Sequence, residues 1–326
     1  MLNPPGDAQF MAVALALSER GRGRTGANPN VGCVIVKKGI IVGRGWTQPG
    51  GRPHAEEMAL AEAGASANGA DIYVTMEPCA HESTRGPTCS NAIIDAKPKR
   101  VIVATLDADE RTRRRGIDRL GDAGITVSVG IREPEARRAM AGFLSRVENA
   151  RPFVTLKLAM SLDGCIAMAD GTSQWITGDR ARTHAHLERA RSDAILVGAG
   201  TAKADKPGLD VRIDGLTDHS PQPVILGNDS EIPDHWLQIA EPAEIAGLAD
   251  INWLLVEGGA TTAASFLQAG LVDRLMLYRA PIIIGGGLPG IGDIGLQKLG
   301  DAHGQWRRTD RRELGQDVLE IYEHAA

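Results

Sequence analysis

The sequence has little of several features that would assign it to a specialised class of protein. Aromatic residues make up only 4% of its 326 residues, too few for a surface on which single-stranded nucleic acid stacks its bases. The formal net charge of −5 gives no overall attraction for polyanions. No apolar run approaches the roughly 20 residues that span a membrane, and no basic segment precedes an apolar stretch near Met1, as a signal peptide requires. Four cysteines are too few for a disulfide framework. We therefore expect a cytoplasmic protein with reduced thiols that binds neither nucleic acid nor a membrane.

The chain instead shows alternating strand-like and helix-like segments. Its length suggests two domains, and Arg151-Pro152, which follows a charged helix predicted at 133–149, places the boundary so that the domains are 1–149 and 150–326. The predicted strands are 31–36, 40–45, 72–75, 100–104, 125–129, 153–158, 194–197, 223–226, 253–256 and 274–277, and Lys37-Lys38-Gly39 predicts a hairpin between the first two. Helices are predicted at 9–17, 54–65, near Asn91, near Leu120, at 180–191 and at 261–269. This alternation predicts an α/β fold for both halves, the first with a largely parallel sheet in a three-layer α/β/α arrangement.

Four residues in the first half have the types and the order of a catalytic zinc site. His54 and Glu56 open a predicted helix, and Cys79 and Cys89 come before and after a loop that leads into the next one. One imidazole and two thiolates give zinc three protein ligands and leave a fourth position for water, as in catalytic sites. Glu56 lies close enough to the first ligand to handle protons without binding the metal. Zinc-dependent nucleobase deaminases have the signature H-x-E followed by P-C-x-x-C, and this sequence has the same residue types in the same order, so we predict deamination of an aminopyrimidine.

The spacing of the two cysteines departs from that signature. Nine residues separate Cys79 from Cys89 instead of two, so the loop 80–88 is predicted to arch away from the metal and to serve a particular substrate. Glu57 is the alternative to Glu56, but adjacent residues of a helix point about 100° apart, so only one of them can face the metal. Cys33 and Cys165 are interpreted as ordinary core thiols.

Two other kinds of function fit the same residues. One is a nucleic-acid-editing zinc deaminase with a C-terminal binding module, against which the negative charge and the scarcity of aromatics argue. The other is a non-enzymatic scaffold that binds nucleotides and uses zinc as a structural clip. In such a scaffold Glu56 would be dispensable, whereas a deaminase would need it.

Longer motifs in both halves are similar to those of one known family. In the first half they are Asn28-Pro29-Asn30-Val31-Gly32, His54-Ala55-Glu56 and Met76-Glu77-Pro78-Cys79-Ala80-His81. In the second half they are KLAMSLDG at 157–164, SQWIT at 173–177, Gly200-Thr201, Ala204-Asp205 and Glu257-Gly258-Gly259. Together, and in this order over nearly the whole chain, they resemble the bifunctional deaminase/reductases of riboflavin biosynthesis.

The resemblance implies two folds and two consecutive reactions. A cytidine-deaminase-like domain with one Zn²⁺ would deaminate 2,5-diamino-6-(5-phosphoribosylamino)pyrimidin-4-one. A dihydrofolate-reductase-like domain would then use NADPH to reduce the ribosyl chain of 5-amino-6-(5-phosphoribosylamino)uracil to ribityl. The substrates would be small pyrimidine ribosyl phosphates. For such paired domains we expect a homodimer or a higher homo-oligomer.

The resemblance also assigns roles residue by residue. In the first half, His54, Cys79 and Cys89 match the zinc ligands, Glu56 matches the proton shuttle, and Asn28, His81 and Asp107 match the substrate side. The residues that match NADPH contacts are Ala159, Trp175, Thr201, Asp205, Gly259, Ala260, Thr261, Thr262, Ala263, Ala264 and Ser265. Those that match the substrate of the reductase are Lys157, Ser173, Arg189, Leu209, Arg212 and Glu257. Independently of the resemblance, a glycine turn between an apolar strand and a helix, as at Gly258-Gly259, offers backbone N–H groups to a pyrophosphate.

Some positions depart from the family pattern. Thr47 stands where a histidine is usual, and Ala108-Asp109-Glu110 replaces Pro-Asn-Pro, which affects the contacts of the substrate phosphate. Lys206 replaces an acid and Gly227-Asn228 replaces Asp-Ser beside the cofactor, so the alternative is an active deaminase with a degenerate reductase half. The stretch Gly285-x-Gly287-x-x-Gly290 fits a dinucleotide fingerprint, but Pro289 disfavours the helix that should follow, and we predict a turn.

Overall fold

The computed structural model describes residues 6–81, 88–110, 112–227 and 233–325. The chain divides into two compact units, Met1–Ala150 and Arg151–Ala326. In the described part of the first unit the elements are α1 (Asp7–Ser18), β1 (Gly32–Lys37), β2 (Ile40–Trp46), α2 (Ala55–Ala63), β3 (Asp71–Met76), α3 (Cys89–Ala96), β4 (Arg100–Thr105), α4 (Arg115–Asp122), β5 (Thr126–Val129), α5 (Glu133–Ala139) and α6 (Ala141–Glu148).

The first unit is a three-layer α/β/α sandwich, as predicted. Its five strands lie in the order β2-β1-β3-β4-β5. Helices α1 and α5 contact each other on one face, and α2, α3 and α4 contact one another in sequence on the other. The prediction of a largely parallel sheet is wrong for this unit, because β1 is antiparallel to both β2 and β3 and only β3, β4 and β5 are mutually parallel. Strand β2 is antiparallel to β1 because the two-residue turn Lys38-Gly39 joins them, and both of its residues have positive φ, as a tight hairpin requires.

Helix α2 packs directly on strand β2. A Cβ atom at Gly45 would lie 2.0 Å from the carbonyl oxygen of Ala55, so only glycine allows the first turn of the helix to approach the strand this closely. This contact fixes the end of α2 that carries His54 and Glu56.

The prediction of one charged helix at 133–149 is wrong, because the segment forms two helices. At Met140 the backbone leaves the helical region, with φ −109° and ψ 18°, and separates α5 from α6.

A buried carboxylate holds the beginning of α1 to the sheet. Asp7, only 2% exposed, accepts a 2.7 Å hydrogen bond from the Tyr73 hydroxyl and two 2.8 Å hydrogen bonds from the Arg100 guanidinium. The hydrogen bond from Arg100 is the main reason why the pKa of Asp7 lies below its ordinary value.

We expect Asp7→Asn to lower the free energy of unfolding by about 2 kcal/mol at neutral pH, because it removes the charge that these donors contact. A carboxyl whose pKa is lower in the folded state stabilises the fold above its ordinary pKa of 3.8, and this contribution is lost as the pH falls below it. The difference in the free energy of unfolding between wild type and Asp7→Asn, measured with urea, should therefore shrink in acid. The exposed control Asp122→Asn should change stability by less than about 0.5 kcal/mol; an equal effect of both variants would contradict the assignment.

The second unit has a larger sheet. Its elements are β6 (Phe153–Met160), β7 (Cys165–Ala167), α7 (Asp179–Ala190), β8 (Ala194–Gly198), α8 (Ala199–Asp205), β9 (Gln222–Leu226), β10 (Leu237–Ile239), β11 (Trp253–Glu257), α9 (Ala260–Gln268), β12 (Arg274–Arg279), β13 (Leu288–Pro289), β14 (Trp306–Leu314) and β15 (Asp317–His324). Eight strands lie in the order β10-β9-β8-β11-β6-β12-β15-β14, and the first six are parallel. The ends of β8 and β11 therefore meet at one edge of the sheet, where α8 and α9 begin.

The sequence patterns did not predict the antiparallel hairpin that closes this sheet. Strand β14, with the sequence WRRTDRREL, lies at the edge and is exposed over much of its length, so it lacks the apolar alternation of a buried strand. Strand β15 supplies the buried side chains of this hairpin, among them Leu319. No helix in the described part of the chain is long and apolar enough to cross a membrane.

Candidate active sites

The three predicted zinc ligands converge in the first unit. His54 immediately precedes α2, Cys79 follows β3, and Cys89 is the first residue of α3. His54 Nδ1 lies 3.2 Å from Cys89 Sγ and 3.6 Å from Cys79 Sγ, and the three donor atoms all lie within 4.8 Å of one another. Atoms that share one tetrahedral zinc ion lie about 3.3–3.8 Å apart, so the donor set fits zinc and leaves its fourth position open.

The backbone and the neighbouring thiol both favour a thiolate at Cys79. Its Sγ accepts a hydrogen bond from the backbone N–H of Cys89 at 3.3 Å. Hydrogen bonding from the Cys89 thiol is the largest cause that lowers the pKa of Cys79 to about 4. A thiolate is the form in which cysteine binds zinc. Of the other two cysteines, Cys33 is fully buried and Cys165 is 6% exposed, as expected for core thiols.

The structure distinguishes the two adjacent glutamates of α2. Glu56 is 3% exposed and lines the cavity beside the ligands, whereas Glu57 points elsewhere. The Glu57 carboxylate accepts a 2.8 Å hydrogen bond from Arg52 and a 3.3 Å hydrogen bond from the backbone N–H of His54, which closes the first turn of the helix. Burial is the main cause that raises the pKa of Glu56 to about 7.

A cavity of about 180 Å³ brings the predicted deaminase residues together. It is lined by two of the three zinc ligands, Glu56, and all three residues predicted on the substrate side, namely Asn28, His81 and Asp107. The arch predicted for the loop between the cysteines falls mostly on residues 82–87, which lie outside the described part of the chain.

Two threonines also line the cavity, and one of them, Thr112, was missed by the sequence patterns. Thr112 donates a 2.7 Å hydrogen bond to Asp107 Oδ2, and the backbone N–H of Asp109 donates one of 3.0 Å to Oδ1, so the Asp107 carboxylate is held in place. Nothing in the sequence marks Thr112. Thr47, which stands where the family usually has histidine, is buried, and its hydroxyl accepts a hydrogen bond from the backbone N–H of Val31 at 2.9 Å.

We expect Cys89→Ala to remove zinc from the protein, because only two of the three ligands remain. Metal analysis of the purified protein should fall from about one zinc ion per chain to nearly none, with loss of deamination. Cys33→Ala is the matched control, since Cys33 is also fully buried but is not part of the cluster. Zinc retained by the Cys89 variant at the level of the control would refute the assignment.

In the second unit, a carboxylate and two cations form a mostly buried cluster. Arg189 donates from Nε to Glu257 Oε1 at 2.8 Å and from its terminal nitrogen to Oε2 at 3.0 Å, and Lys157 Nζ lies 3.6 Å from Oε2. Lys157 and Glu257 are opposite one another on the paired strands β6 and β11. Burial raises the pKa of Glu257, but the positive charges of Lys157 and Arg189 outweigh it and lower the pKa to about 2.

Most of the residues predicted to contact NADPH lie on α8 and α9, which start at the carboxyl edge of the same sheet. Gly198 and Gly259 precede α8 and α9, and a Cβ atom at Gly259 would lie 3.7 Å from the Thr201 hydroxyl, so the two helix N-termini are neighbours. In open parallel sheets this edge is where ligands bind. Trp175 is 65% exposed, and the Arg182 guanidinium lies 4.7 Å from its ring centroid.

The predicted reductase residues differ in how far their side chains are exposed. The side chains of Ala263, Ala264 and Leu209 are buried in the core, so they could reach a ligand only through their backbone. The backbone N–H of Ala263 already donates to the carbonyl of Gly259. Ala159 lies near the end of β6, and Ser173 is half-buried. The other predicted residues on the substrate and cofactor sides with exposed side chains are Asp205, Arg212 and Thr261; Ala260 and Ser265 are half-buried, and Thr262 is buried beside Gly198.

Two positions of the second unit that depart from the family pattern, Lys206 and Gly227, lie where the backbone turns. Lys206 ends α8 in a left-handed conformation, with φ 41°, and is exposed. Gly227 has φ 111°, and its N–H donates to Ile239, while Asn228 lies outside the described residues. The stretch 285–290 forms turns and the short strand β13, and no helix follows in residues 281–298, in agreement with the predicted turn.

The fold and the His/Cys/Cys cluster define the chain as a zinc-dependent deaminase joined to a reductase domain. The model of the cytidine and deoxycytidylate deaminase zinc-binding region matches residues 5–105, and the model of the RibD C-terminal domain matches residues 152–319. The chain belongs to the RibD family, the bifunctional deaminase/reductases of riboflavin biosynthesis. This confirms the predicted family, fold class and enzyme class.

Curated relatives and solved structures match this chain over nearly its full length. Riboflavin biosynthesis protein RibD of Escherichia coli is 40% identical, with 96% of this chain and 98% of that protein covered. The structure of Acinetobacter baumannii RibD, form 1, is 34% identical and gives a TM-score of 0.88, with 98% and 99% covered. A Thermotoga maritima structure, described as a diaminohydroxyphosphoribosylaminopyrimidine deaminase/5-amino-6-(5-phosphoribosylamino)uracil reductase, is 29% identical and gives a TM-score of 0.86, with 98% and 99% covered.

Proposed function

We propose that the first unit deaminates 2,5-diamino-6-(5-phosphoribosylamino)pyrimidin-4-one and that the second reduces the ribosyl chain of the product with NADPH. The observation that carries this proposal is that His54, Cys79 and Glu56 line the same cavity as Asn28 and Asp107. The description of the T. maritima relative supports the choice of substrates.

In the deaminase, each residue has a task that its position allows. Zinc held by His54, Cys79 and Cys89 would supply Lewis acidity that makes water nucleophilic near neutral pH. Glu56 takes a proton from the attacking water and delivers it toward the ring, so that the C–NH₂ bond is replaced by a carbonyl and ammonia leaves. Asp107, held by Thr112, accepts hydrogen bonds from amino groups of the ring. The side-chain amide of Asn28 orients the ring in the cavity.

In the reductase, the cluster around Glu257 contains one residue that can donate a proton and another that can hold the sugar of the substrate. NADPH, when bound, would supply the hydride. With a pKa of about 2, Glu257 is a carboxylate at neutral pH and cannot donate a proton. Lys157 is the ammonium beside it, so we assign proton donation to Lys157 and the holding of sugar hydroxyls to Glu257. The first turn of α9, at Ala260, Thr261 and Thr262, would face the pyrophosphate with its backbone N–H groups.

A coupled assay tests both halves. Zinc-quantified protein is given the diaminopyrimidine ribosyl phosphate, and ammonia and NADPH absorbance are followed together. We expect ammonia first and NADPH loss after it. Ammonia without NADPH loss, also when the deaminated product is supplied directly, would establish the degenerate reductase instead. No ammonia from a zinc-loaded protein would overturn the assignment of the substrate. A homo-oligomer, a cytoplasmic location and the absence of nucleic-acid binding stay predictions.

A further inference from the structure

One buried carboxylate beside the metal cluster is held by four main-chain donors. Glu77, 6% exposed, stands two residues before Cys79. Its Oε1 accepts hydrogen bonds from the backbone N–H groups of Gly116 at 2.9 Å and Ile117 at 3.3 Å. Its Oε2 accepts from those of Arg114 at 2.9 Å and Asp107 at 3.2 Å. A carboxylate is the side chain that can accept this many hydrogen bonds and offer no proton in return.

These four bonds join separate parts of the cavity wall. The donor at 107 is the backbone N–H of Asp107, in the segment after β4. We place the side chain of Asp107 against the substrate. The donors at 114, 116 and 117 belong to the beginning of α4. Glu77 lies one residue past the end of β3, and its backbone N–H donates to the carbonyl of Thr105, the last residue of the neighbouring strand β4, at 2.9 Å. The Glu77 side chain thus ties the turn that carries Cys79 to both of these segments.

The contact between α4 and this turn leaves no room for adjustment. A Cβ atom at Gly116 would lie 1.9 Å from the carbonyl oxygen of Pro78, the residue between Glu77 and Cys79. Helix α4 therefore rests on the backbone of the turn itself. The residue that it contacts, Pro78, immediately precedes the Cys79 ligand.

We propose that Glu77 is a positioning residue of the metal centre: its carboxylate fixes the turn that presents Cys79 and, through the main chain at Asp107, a second part of the cavity wall. Groups that orient metal ligands without touching the metal typically change metal affinity or activity by about 10- to 100-fold when they are mutated. The inference rests on the zinc site of the proposed function but not on the identity of the substrate.

The test is Glu77→Gln in the full chain. The amide keeps the shape of the side chain but has only one oxygen, so its NH₂ group must face one of the two pairs of N–H donors. We expect zinc affinity, measured by competition with a chelator, to fall about 10- to 100-fold. The visible absorption of the Co²⁺-substituted protein should also change, because its bands report the geometry of the thiolate ligands.

Asp7→Asn is the matched control, since it also neutralises a buried carboxylate of the same unit that is not part of the cavity. It should lower Tm without changing zinc affinity or the Co²⁺ spectrum. A Glu77→Gln protein that behaves in this same way would overturn the proposal. If Glu77→Gln does not fold, Gly116→Ala takes its place, because it displaces α4 from Pro78 and leaves the carboxylate intact; an unchanged Co²⁺ spectrum in that variant would equally overturn it. These readouts need no substrate, so a wrong substrate assignment would not be mistaken for a failure of this inference.

Discussion

Replacement of Glu56 by glutamine is expected to reduce deamination by about 10³-fold while zinc stays bound. Positioned proton transfer contributes about 10²- to 10⁴-fold in enzymes, and an amide of the same shape cannot take up the proton of water. The zinc ligands keep their places, because Glu56 is not one of the three donor residues. Ammonia release, metal content and reduction of the deaminated product should be measured on the same preparation, and the last two should match the wild type.

Glu57→Gln is the control that the chain itself offers. Glu57 is the next residue on the same helix, and a glutamine there can still accept the hydrogen bond from the backbone N–H of His54. We expect its deamination rate to stay within about threefold of wild type, since it loses only a pair with Arg52. If both variants lost activity equally, or if the Glu56 variant lost its zinc, the assigned role of Glu56 would be wrong.

Glu257→Gln should strongly lower both the stability of the protein and the rate of reduction. The variant leaves Arg189 and Lys157, which are 14% and 17% exposed, without the negative charge between them. Breaking a buried ion pair in this way costs about 3 kcal/mol or more. NADPH oxidation should fall by about 10²- to 10⁴-fold, because the anchor for the sugar is lost and Lys157, the assigned proton donor, is no longer held in position.

The stability effect should depend on pH in a defined direction. The pKa of Glu257 is about 2 in the folded protein and 4.5 ordinarily. A lowered pKa stabilises the fold above the ordinary value, so the wild type should exceed the variant by about 3 kcal/mol at neutral pH. This difference should shrink as the pH falls from about 4.5 toward about 2.

Urea unfolding of the two proteins at several pH values measures this difference directly. Glu241→Gln, which changes an exposed carboxylate of the same unit, should show no comparable difference at any pH. A difference between wild type and the Glu257 variant that stays constant into acid would show that the carboxylate does not act through its charge.

The zinc chemistry could be predicted from the sequence because it depends on few residues of distinctive type. His54, Glu56 and Cys79 lie in short motifs, and each motif sits where a helix begins or a strand ends. The α/β class followed from apolar periodicity, which is imposed locally by burial. The turn Lys38-Gly39 likewise follows from neighbouring residues alone.

The tertiary structure decided what depends on distant parts of the chain. It selected Glu56 over Glu57, because the packing of α2 on Gly45 turns one of them into the cavity. It showed that Leu209 is a core residue, and it paired the polar strand β14 with β15, whose register no local pattern determines. The four N–H donors to Glu77 lie 30 to 40 residues away in the sequence. Chemical identity is carried by single residues and could be predicted from them, whereas orientation and mutual support arise only when separate segments meet.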